Sequence, residues 1–327
     1  MRIGMRGLAA LCLLSGSFAS TAVDAQPGPK AQFVTLGTAG GPLTRVKRSE
    51  PANAIVVGDA IYLFDTGDGV QRQLAAANLP VGNVRAVFLS HHHIDHIGGL
   101  APFLVTRWLV ASREPLPVIG PPGTVTLVKG IAQAFHNVEL APITIGAARM
   151  PPIVSSTKPE DLPASTPEPV DVYKDANIHV SAITNDHYHY EPGSEEARLS
   201  RSYSFRIEAG GRVFVYTGDT GLSVNLQRLA HDADVLVSEV IDLNAMGRAM
   251  RGSGPASQNG PLMAHLQQDH LTPAQVGRLA ATAHVKSVVL THIVPGADDE
   301  TTTSQYTDGV KQQFAGSVTA ARDLDRF

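Results

Sequence analysis

The sequence predicts an α/β (α+β) fold in which two β-sheets pack face to face and helices cover their outer faces. Two observations support this class. Near the N-terminal end, short apolar runs at 54–57 and 60–64 flank a Gly-Asp pair, a pattern typical of a β-hairpin. Further along, strand and helix patterns alternate in both halves of the chain, and no internal repeat is visible.

The elements of the first half follow from local periodicity. Val70, Leu74 and Ala77 recur at helical spacing directly after a turn-rich break at 65–69, which predicts a helix over 70–78. Apolar runs predict the remaining strands, and longer periodic segments predict the remaining helices. The strands are expected at 32–36, 84–89 and 116–119, and the helices at 100–111 and 124–136.

The second half repeats this alternation with one interruption. Strands are predicted at 178–184, 203–208, 212–217, 234–239 and 287–291, helices at 272–283 and 305–314, and a tail at 318–324. The interruption at 150–170 is rich in proline and poor in apolar residues, so it is interpreted as an extended arm or lid inserted in one domain. The segment 244–268, which carries three methionines, is expected to shape a pocket.

A histidine cluster follows the predicted strand at 84–89. His91, His92, His93, Asp95 and His96 lie within six positions, ahead of two glycines that permit a tight turn. In an extended segment His91 and His93 point to the same side, so both can reach one metal ion. Imidazole and carboxylate groups at this density favour a divalent metal site over a histidine-rich surface loop.

Other predicted strand ends also carry metal-binding side chains. His187 and His189 follow the strand at 178–184, Asp219 follows the strand at 212–217, and His292 follows the strand at 287–291. A single histidine or a Gly-Asp turn at a strand end is usually packing or turn chemistry. Several strand ends that deliver such residues together favour one shared site.

A binuclear assignment accounts for these residues. His91, His93 and His187 are expected to hold one metal, Asp95, His96 and His292 a second, and Asp219 is expected to bridge the two. His189 stays open as an alternative to His187. Asp65 ends the neighbouring strand and can accept the free N–H of a ligand histidine. Two Zn²⁺ ions suit these ligands best, although manganese or iron would also be accepted.

The first 25 residues predict export. Arg2 and Arg6 precede a short apolar core, and Val23-Asp24-Ala25 has the small residues of a cleavage site, so 1–25 is interpreted as a signal peptide and the protein is expected in the periplasm or outside the cell. The only cysteine, Cys12, lies in this segment, so residues 26–327, the expected single domain, contain no thiolate ligand. No membrane span is expected in the mature protein.

Several motifs together resemble the metallo-β-lactamase superfamily, and within it the ribonuclease Z branch of binuclear zinc hydrolases. The cluster at 91–96 with Asp219 and His292 resembles the metal motif of the superfamily. The branch is indicated by an opening strand and glycine turn, an aspartate motif, and later segments, at 33–38, 63–74, 118–123, 269–275 and 283–292. The resemblance implies a four-layer αββα sandwich.

The resemblance also implies a reaction, namely attack on a phosphodiester by a hydroxide bridging two zinc ions. His270 and Glu239 match the histidine and glutamate that assist the leaving group in the family, and Asp95 is assigned to both the metal site and catalysis. A purely structural position beside the N-cap of the helix at 272 is an equally weighted interpretation of His270. Ser238 is a departure, because the family has a histidine before the glutamate.

The net charge and the predicted export of the protein indicate the class of substrate. The net charge is −4, removal of Arg2, Arg6 and Asp24 would make it more negative, and the segment 150–170 has Lys158 as its only base. These features argue against tRNA processing and nucleic acid, and favour a small-molecule phosphodiester, sulfate ester or phosphonate ester. The alternatives are hydrolysis of a lactone or β-lactam ring and, more remotely, a non-catalytic binding protein. A homodimer is the default expectation for assembly.

Overall fold

In the computed structural model, two β-sheets pack face to face with helices outside both, as the sequence predicted. The structure describes residues 29–110, 114–141, 150–250 and 256–327. The predicted signal peptide and Cys12 lie outside these residues. Within them, no helix combines the length and the apolar character needed to cross a membrane.

The first sheet contains the strands of the N-terminal half. Its strands lie side by side in chain order, from β1 to β6. Their bounds are Ala31–Gly37 (β1), Ala52–Val57 (β2), Ala60–Thr66 (β3), Val84–Phe88 (β4), Leu116–Gly120 (β5) and Thr157–Asp161 (β6). The first three strands pair antiparallel, and β3 to β6 pair parallel. The chain therefore enters as a hairpin and continues through crossovers, as the apolar pattern predicted.

The second sheet contains the strands of the C-terminal half, again in chain order, from β7 to β13. Their bounds are Val170–Lys174 (β7), Ile178–Thr184 (β8), Tyr203–Ala209 (β9), Arg212–Tyr216 (β10), Val235–Ile241 (β11), Ser287–Val294 (β12) and Ser317–Ala320 (β13). The strands β7 to β10 pair antiparallel, and β10 to β13 pair parallel. In both sheets, therefore, the first pairs along the chain are antiparallel and the later pairs are parallel.

Helices lie between the strands. Their bounds are Val70–Ala76 (α1), Ile94–Ile97 (α2), Leu100–Val110 (α3), Thr124–Ala134 (α4), His136–Leu140 (α5), Glu195–Leu199 (α6), Val224–Leu229 (α7), Leu243–Met250 (α8), Ala256–Asp269 (α9), Pro273–Thr282 (α10) and Ser304–Lys311 (α11). Thr272 caps α10 in a capping box with Gln275, and Pro273 occupies its first turn, where a missing N–H costs nothing.

Three apolar clusters define the four layers. The central one joins the facing sides of both sheets, and its stacked rings include Phe64 and Phe88, with Phe205 of the second sheet edge-on to Phe64. A second cluster packs α1, α3 and α4 on the outer face of the first sheet. A third packs α7, α10 and α11 on the outer face of the second. Burial of one face of each sheet and helix gives the αββα sandwich.

The lid interpretation of 150–170 is wrong. This segment forms a short 3₁₀ turn at Ile153–Ser156, continues as β6 at the edge of the first sheet, and reaches β7 in the second sheet. Leu162 is buried in the central core, so the segment connects the sheets and does not cover the site. The segment 244–268 consists mainly of helices α8 and α9, and the predicted tail includes the strand β13.

Candidate metal centre

The predicted ligands meet at one edge of the two sheets, where strands end. His91 and His93 follow β4, and Asp95 and His96 lie in the short helix α2. His187 follows β8, and Asp219 follows β10, while His292 lies within β12. The fold therefore brings all seven predicted metal ligands together.

A β-bulge directs His292 toward this edge. Along the β11–β12 ladder, Ser238 pairs with Leu290 but Val240 pairs with Ile293, so β12 contains one extra residue. His292 has a φ of 42°, in the left-handed region that a non-glycine residue seldom adopts. Bulges of this kind redirect a side chain out of the regular alternation of the strand.

Three imidazoles form what we call the first cluster: His91, His93 and His187. Together with Asp219, each offers one ligand atom, and these atoms lie within 4.8 Å of one another. His187 Nε2 is 3.3 Å from His93 Nδ1. His91 and His187 are fully buried.

The second cluster consists of Asp95, His96 and His292, whose ligand atoms also lie within 4.8 Å of one another. Asp95 Oδ2 is 3.3 Å from His292 Nε2 and 3.5 Å from His96 Nε2. The backbone N–H of Gly41 donates to the same oxygen at 3.0 Å. A Cβ on Gly41 would lie 2.3 Å from the Asp95 Cβ, so the glycine-rich turn has to pass this close for the contact to form.

Asp219 lies between the two clusters. Its Oδ1 is 3.4 Å from His96 Nε2, and its Oδ2 is 3.1 Å from His292 Nε2 and 3.9 Å from His91 Nε2. This carboxylate therefore faces ligands of both clusters, as the bridging assignment requires.

Outer partners fix the orientation of several imidazoles. His96 Nδ1 donates to Asp65 Oδ2 at 2.8 Å, which leaves Nε2 facing the site. His187 Nδ1 donates to the Asp269 carbonyl at 3.0 Å, and His91 Nδ1 contacts Ser90 Oγ at 3.0 Å. Such partners hold the tautomer and raise the basicity of a metal ligand.

Besides His96 Nδ1, three donors hold Asp65. Ser90 donates through both its backbone N–H and its hydroxyl, each at 2.7 Å, and the Tyr216 hydroxyl donates at 2.7 Å. Asp65 also has a φ of 61°. The Tyr216 contact joins the second sheet to the first, and the Ser90 contact joins the ends of the neighbouring strands β3 and β4, so neither could be read from sequence spacing.

The two clusters differ in charge. Burial lowers the pKa of His91 well below its usual value and lowers that of His187 to about 3. In the second cluster burial opposes charge on His292, but Asp219 and Asp95 outweigh it and raise the pKa of His292 to about 10. His96 is shifted in the same direction by Asp219, Asp95 and Asp65, against burial.

The donor set fits divalent cations. Among the described residues, His91 Nε2, His96 Nε2 and Asp219 Oδ1 are buried polar atoms without a hydrogen-bond partner. Such orphaned atoms cost free energy, and here they converge on one point. Neutral imidazole nitrogens and carboxylate oxygens are the ligands that zinc and similar ions take.

His189 and His92 have other contacts. His189 Nδ1 donates to Asp269 Oδ1 at 2.6 Å, and its side chain is 40% exposed. His92 contacts Thr124 Oγ1 at 2.9 Å. The geometry therefore places His187, not His189, among the other ligands.

His270 and Glu239 form a buried pair beside the clusters. His270 Nδ1 donates to Glu239 Oε2 at 2.7 Å, and the Thr220 N–H donates to Glu239 Oε1 at 2.6 Å. Burial opposes charge on His270, but Glu239 outweighs it and raises the pKa of the imidazole. The side chain of His270 is thus buried and aimed at the centre rather than left exposed as a helix-cap neighbour.

A cavity of about 470 Å³ opens beside the centre, and its lining includes His93 of the first cluster, the shared Asp219 and two residues of the second cluster. Asp95, His270 and His292 form its polar end. Its apolar wall includes Leu43 and Ile94, and α8 and α9 contribute Met246, Leu262 and Leu266. The expectation that 244–268 shapes the pocket is therefore confirmed, although the segment does so as helices.

Comparison with known proteins identifies the family. The sequence model described as "Beta-lactamase superfamily domain" matches residues 61–293. The chain belongs to this superfamily. It is 29% identical over 299 residues to a protein named Ribonuclease Z from Mycolicibacterium paratuberculosis, covering 90% of this chain and 96% of the relative. A Ribonuclease Z from Mycolicibacterium gilvum is 30% identical over 266 residues, covering 80% and 84%.

Solved structures agree on the fold. The metallo-β-lactamase fold protein YhfI from Bacillus subtilis superimposes with a TM-score of 0.64 at 20% identity, covering 91% of this chain and 99% of YhfI. The short form of human tRNase Z gives a TM-score of 0.62 at 22% identity, covering 90% and 98%. The predicted ribonuclease Z-like branch and αββα fold are thereby confirmed.

These relationships settle two predictions about function. The protein is a metal-dependent hydrolase, so the alternative of a non-catalytic binding protein is wrong. The prediction of a small-molecule ester substrate without nucleic acid is also wrong, because relatives that match along 90% of the chain are ribonucleases by name. Net charge sums over the whole surface, whereas the substrate is selected by the residues around the centre.

Proposed function

We propose that this protein is a metal-dependent phosphodiesterase that cleaves RNA. The observation that carries the proposal is Asp219, which faces both the first and the second cluster beside the buried His270–Glu239 pair. Two-cation sites of this kind serve the displacement of an oxygen at phosphorus. The ribonuclease Z relatives support RNA as the source of the phosphodiester.

Two divalent ions, zinc by preference, would occupy the centre. His91, His93 and His187 would hold one, Asp95, His96 and His292 the other, and Asp219 would contact both. When bound, such ions supply Lewis acidity toward a phosphoryl group and a nucleophile at neutral pH. Asp65 and the Asp269 carbonyl keep His96 and His187 in the orientation that this requires.

His270 is positioned to serve the leaving group. Its Nδ1–H is engaged by Glu239, so Nε2 is the atom that can hold a proton toward the cavity. When the phosphorus–oxygen bond to the leaving nucleoside breaks, this proton can pass to the departing oxygen and leave a neutral imidazole. Glu239 stabilises the charged imidazole before transfer, a general-acid arrangement.

A comparison of four substrates tests the function. The purified protein, loaded with Zn²⁺ or treated with a chelator, is incubated with bis(p-nitrophenyl) phosphate, an end-labelled oligoribonucleotide, the same sequence as DNA, and a chromogenic β-lactam. We expect chelator-sensitive cleavage of the phosphodiester and of the RNA. Failure of the metal-loaded protein to cleave the RNA would overturn the proposal, whether or not the β-lactam or the DNA is turned over.

We also propose that residues 1–25 export the protein and that 26–327 act as one catalytic domain. The basic start, short apolar core and small residues before Gln26 support export. N-terminal sequencing of protein recovered from periplasmic and cytoplasmic fractions tests this. We expect a periplasmic chain that begins near Gln26, and a cytoplasmic chain that retains Arg2 and Arg6 would contradict export.

A further inference from the structure

We infer that Tyr188 and Tyr190 form a stacking platform that binds a base of the RNA next to the cleaved phosphodiester. The inference rests on the proposed function, since it needs a nucleic acid strand at the metal centre. It adds a specificity determinant to that function. The two tyrosines follow His187 closely in the sequence, but no metal ligand role is assigned to either.

The rings form a continuous series that begins at the first cluster. The Tyr188 ring centroid is 4.7 Å from that of His187 and 5.3 Å from that of His93, which it meets edge to face. Tyr190 then stacks on Tyr188 at 5.4 Å with an interplanar angle of 20°. The series therefore leads from the metal ligands outward to the protein surface.

Exposure distinguishes Tyr190 from the other aromatic residues. The residue is 44% exposed, whereas every other Phe, Tyr or Trp in the part of the chain that the structure describes is buried or half-buried. Tyr188 is half-buried beneath it, so the pair is anchored on one side and open on the other. A large ring left open this close to a catalytic centre provides a face on which a planar group can stack.

The position of the pair suits a strand that crosses the centre. The 470 Å³ cavity is lined by His93 of the first cluster as well as by Asp219 and the second cluster, and neither Tyr188 nor Tyr190 lines it. Tyr188 contacts His93 and His187 from outside this cavity. A strand whose phosphate lies at the metal centre could therefore place one flanking nucleoside in the cavity and the base on its other side against the exposed Tyr190 ring.

Stacking also suits the charge of the chain. Proteins that bind single strands combine a basic groove with aromatic rings, and each stacked base contributes roughly 1–3 kcal/mol. With a net charge of −4, this chain has no overall excess of basic residues to attract a polyanion. Base stacking at Tyr190 would give an RNA strand a contact that a simple phosphodiester lacks.

Kinetics with matched oligoribonucleotides test the platform. The substrates are a short single-stranded RNA and two versions that lack the base on one or the other side of the cleaved bond. Tyr190→Ala should raise KM for the intact RNA about 10-fold with little change in kcat, which corresponds to the loss of one stacked base. Tyr190→Phe and Tyr190→Trp should retain the wild-type KM, because both keep an aromatic face.

The base-free substrates separate stacking from general damage. On one of the two versions, wild type and Tyr190→Ala should show the same raised KM, since the stacking base is already absent. Leu140→Ala serves as the control and should leave KM unchanged, because it truncates an exposed apolar residue that is distant from Tyr190 in the sequence and has no assigned role. Metal content and the circular dichroism spectrum should match wild type in every variant.

Two results would overturn the inference, and they have different consequences. Equal KM values of wild type and Tyr190→Ala on intact RNA would exclude the platform but leave the ribonuclease activity standing. A wild-type protein that cleaves no RNA in any metal form would overturn the proposed function together with the platform.

Discussion

The first and second clusters lie side by side and share Asp219, yet they differ in charge. The first consists of three imidazoles whose pKa values are lowered, chiefly by burial. The second contains Asp95, and the imidazoles of His96 and His292 have raised pKa values because carboxylates surround them. One half of the centre is thus close to neutral, and the other is built from opposite charges.

The outer partners extend this difference. His96 is backed by the Asp65 carboxylate, whereas His187 is backed by a neutral carbonyl from Asp269. A cation gains more from a site with a charged ligand and a charged outer partner than from neutral nitrogens alone. We therefore expect the second cluster to hold its ion more tightly at a pH at which His96 and His292 can release their protons to bind it, and variants of the two clusters should differ accordingly.

The largest effect is expected for Asp219→Ala, because this change removes the group that both clusters share. Loss of metal-assisted catalysis is worth several kcal/mol, so activity on bis(p-nitrophenyl) phosphate should fall roughly 10⁴-fold. Metal analysis of the dialysed variant should show less than one equivalent per chain. Retention of two equivalents would show that Asp219 does not bridge the clusters.

The next effect should distinguish the two clusters directly. His187→Ala removes a ligand of the first cluster only, so bound metal should fall to about one equivalent and activity by at least about 100-fold. His189→Ala is the matched control, because its imidazole bonds the Asp269 carboxylate and should leave two equivalents in place. The reverse result would reassign the third ligand of the first cluster to His189.

The ligands could be predicted from sequence for a physical reason. Side-chain alternation puts His91 and His93 on one side of an extended segment, and strand ends of packed sheets lie at a common edge. His187 and Asp219 follow such strands, so their position in the pattern pointed to the edge, although it left His189 open beside His187. His292 lies within β12 and reaches the edge only through the β-bulge, which the sequence pattern did not show. No distance between the ligands had to be known.

The remaining contacts depend on three-dimensional register. The Asp269 carbonyl and the Gly41 N–H are backbone groups, which carry no residue signature in the sequence. The Tyr216 hydroxyl reaches Asp65 only because the sheets pack at one particular offset. Residues 157–161 of the segment 150–170 likewise form a strand through pairing with β5, although the proline content of the segment favours a loop.

A third variant tests His270, whose imidazole lies within 4.8 Å of ligand atoms of Asp219 and His292 but is assigned to the leaving group. His270→Ala should lower kcat by about 10²–10³-fold on a substrate with a poor leaving group, because general-acid assistance is lost. The loss should be much smaller for bis(p-nitrophenyl) phosphate, whose p-nitrophenolate departs without a proton. Metal content should stay at two equivalents. Equal losses on both substrates would argue that His270 has a structural role.

The smallest expected effect concerns the outer partner of the second cluster. Asp65→Asn keeps the size of the side chain and tolerates the φ of 61°. It removes the charge behind the His96 N–H and turns one of the two acceptor oxygens into an NH₂ donor, most simply the oxygen that accepts from the Ser90 N–H. Metal affinity should fall about 10–100-fold, and competition with a chelator should release the ion of the second cluster at lower chelator concentration than in wild type. If Asp65→Asn instead leaves the tighter ion unchanged and weakens the looser one, the order of affinities inferred from the charges is reversed.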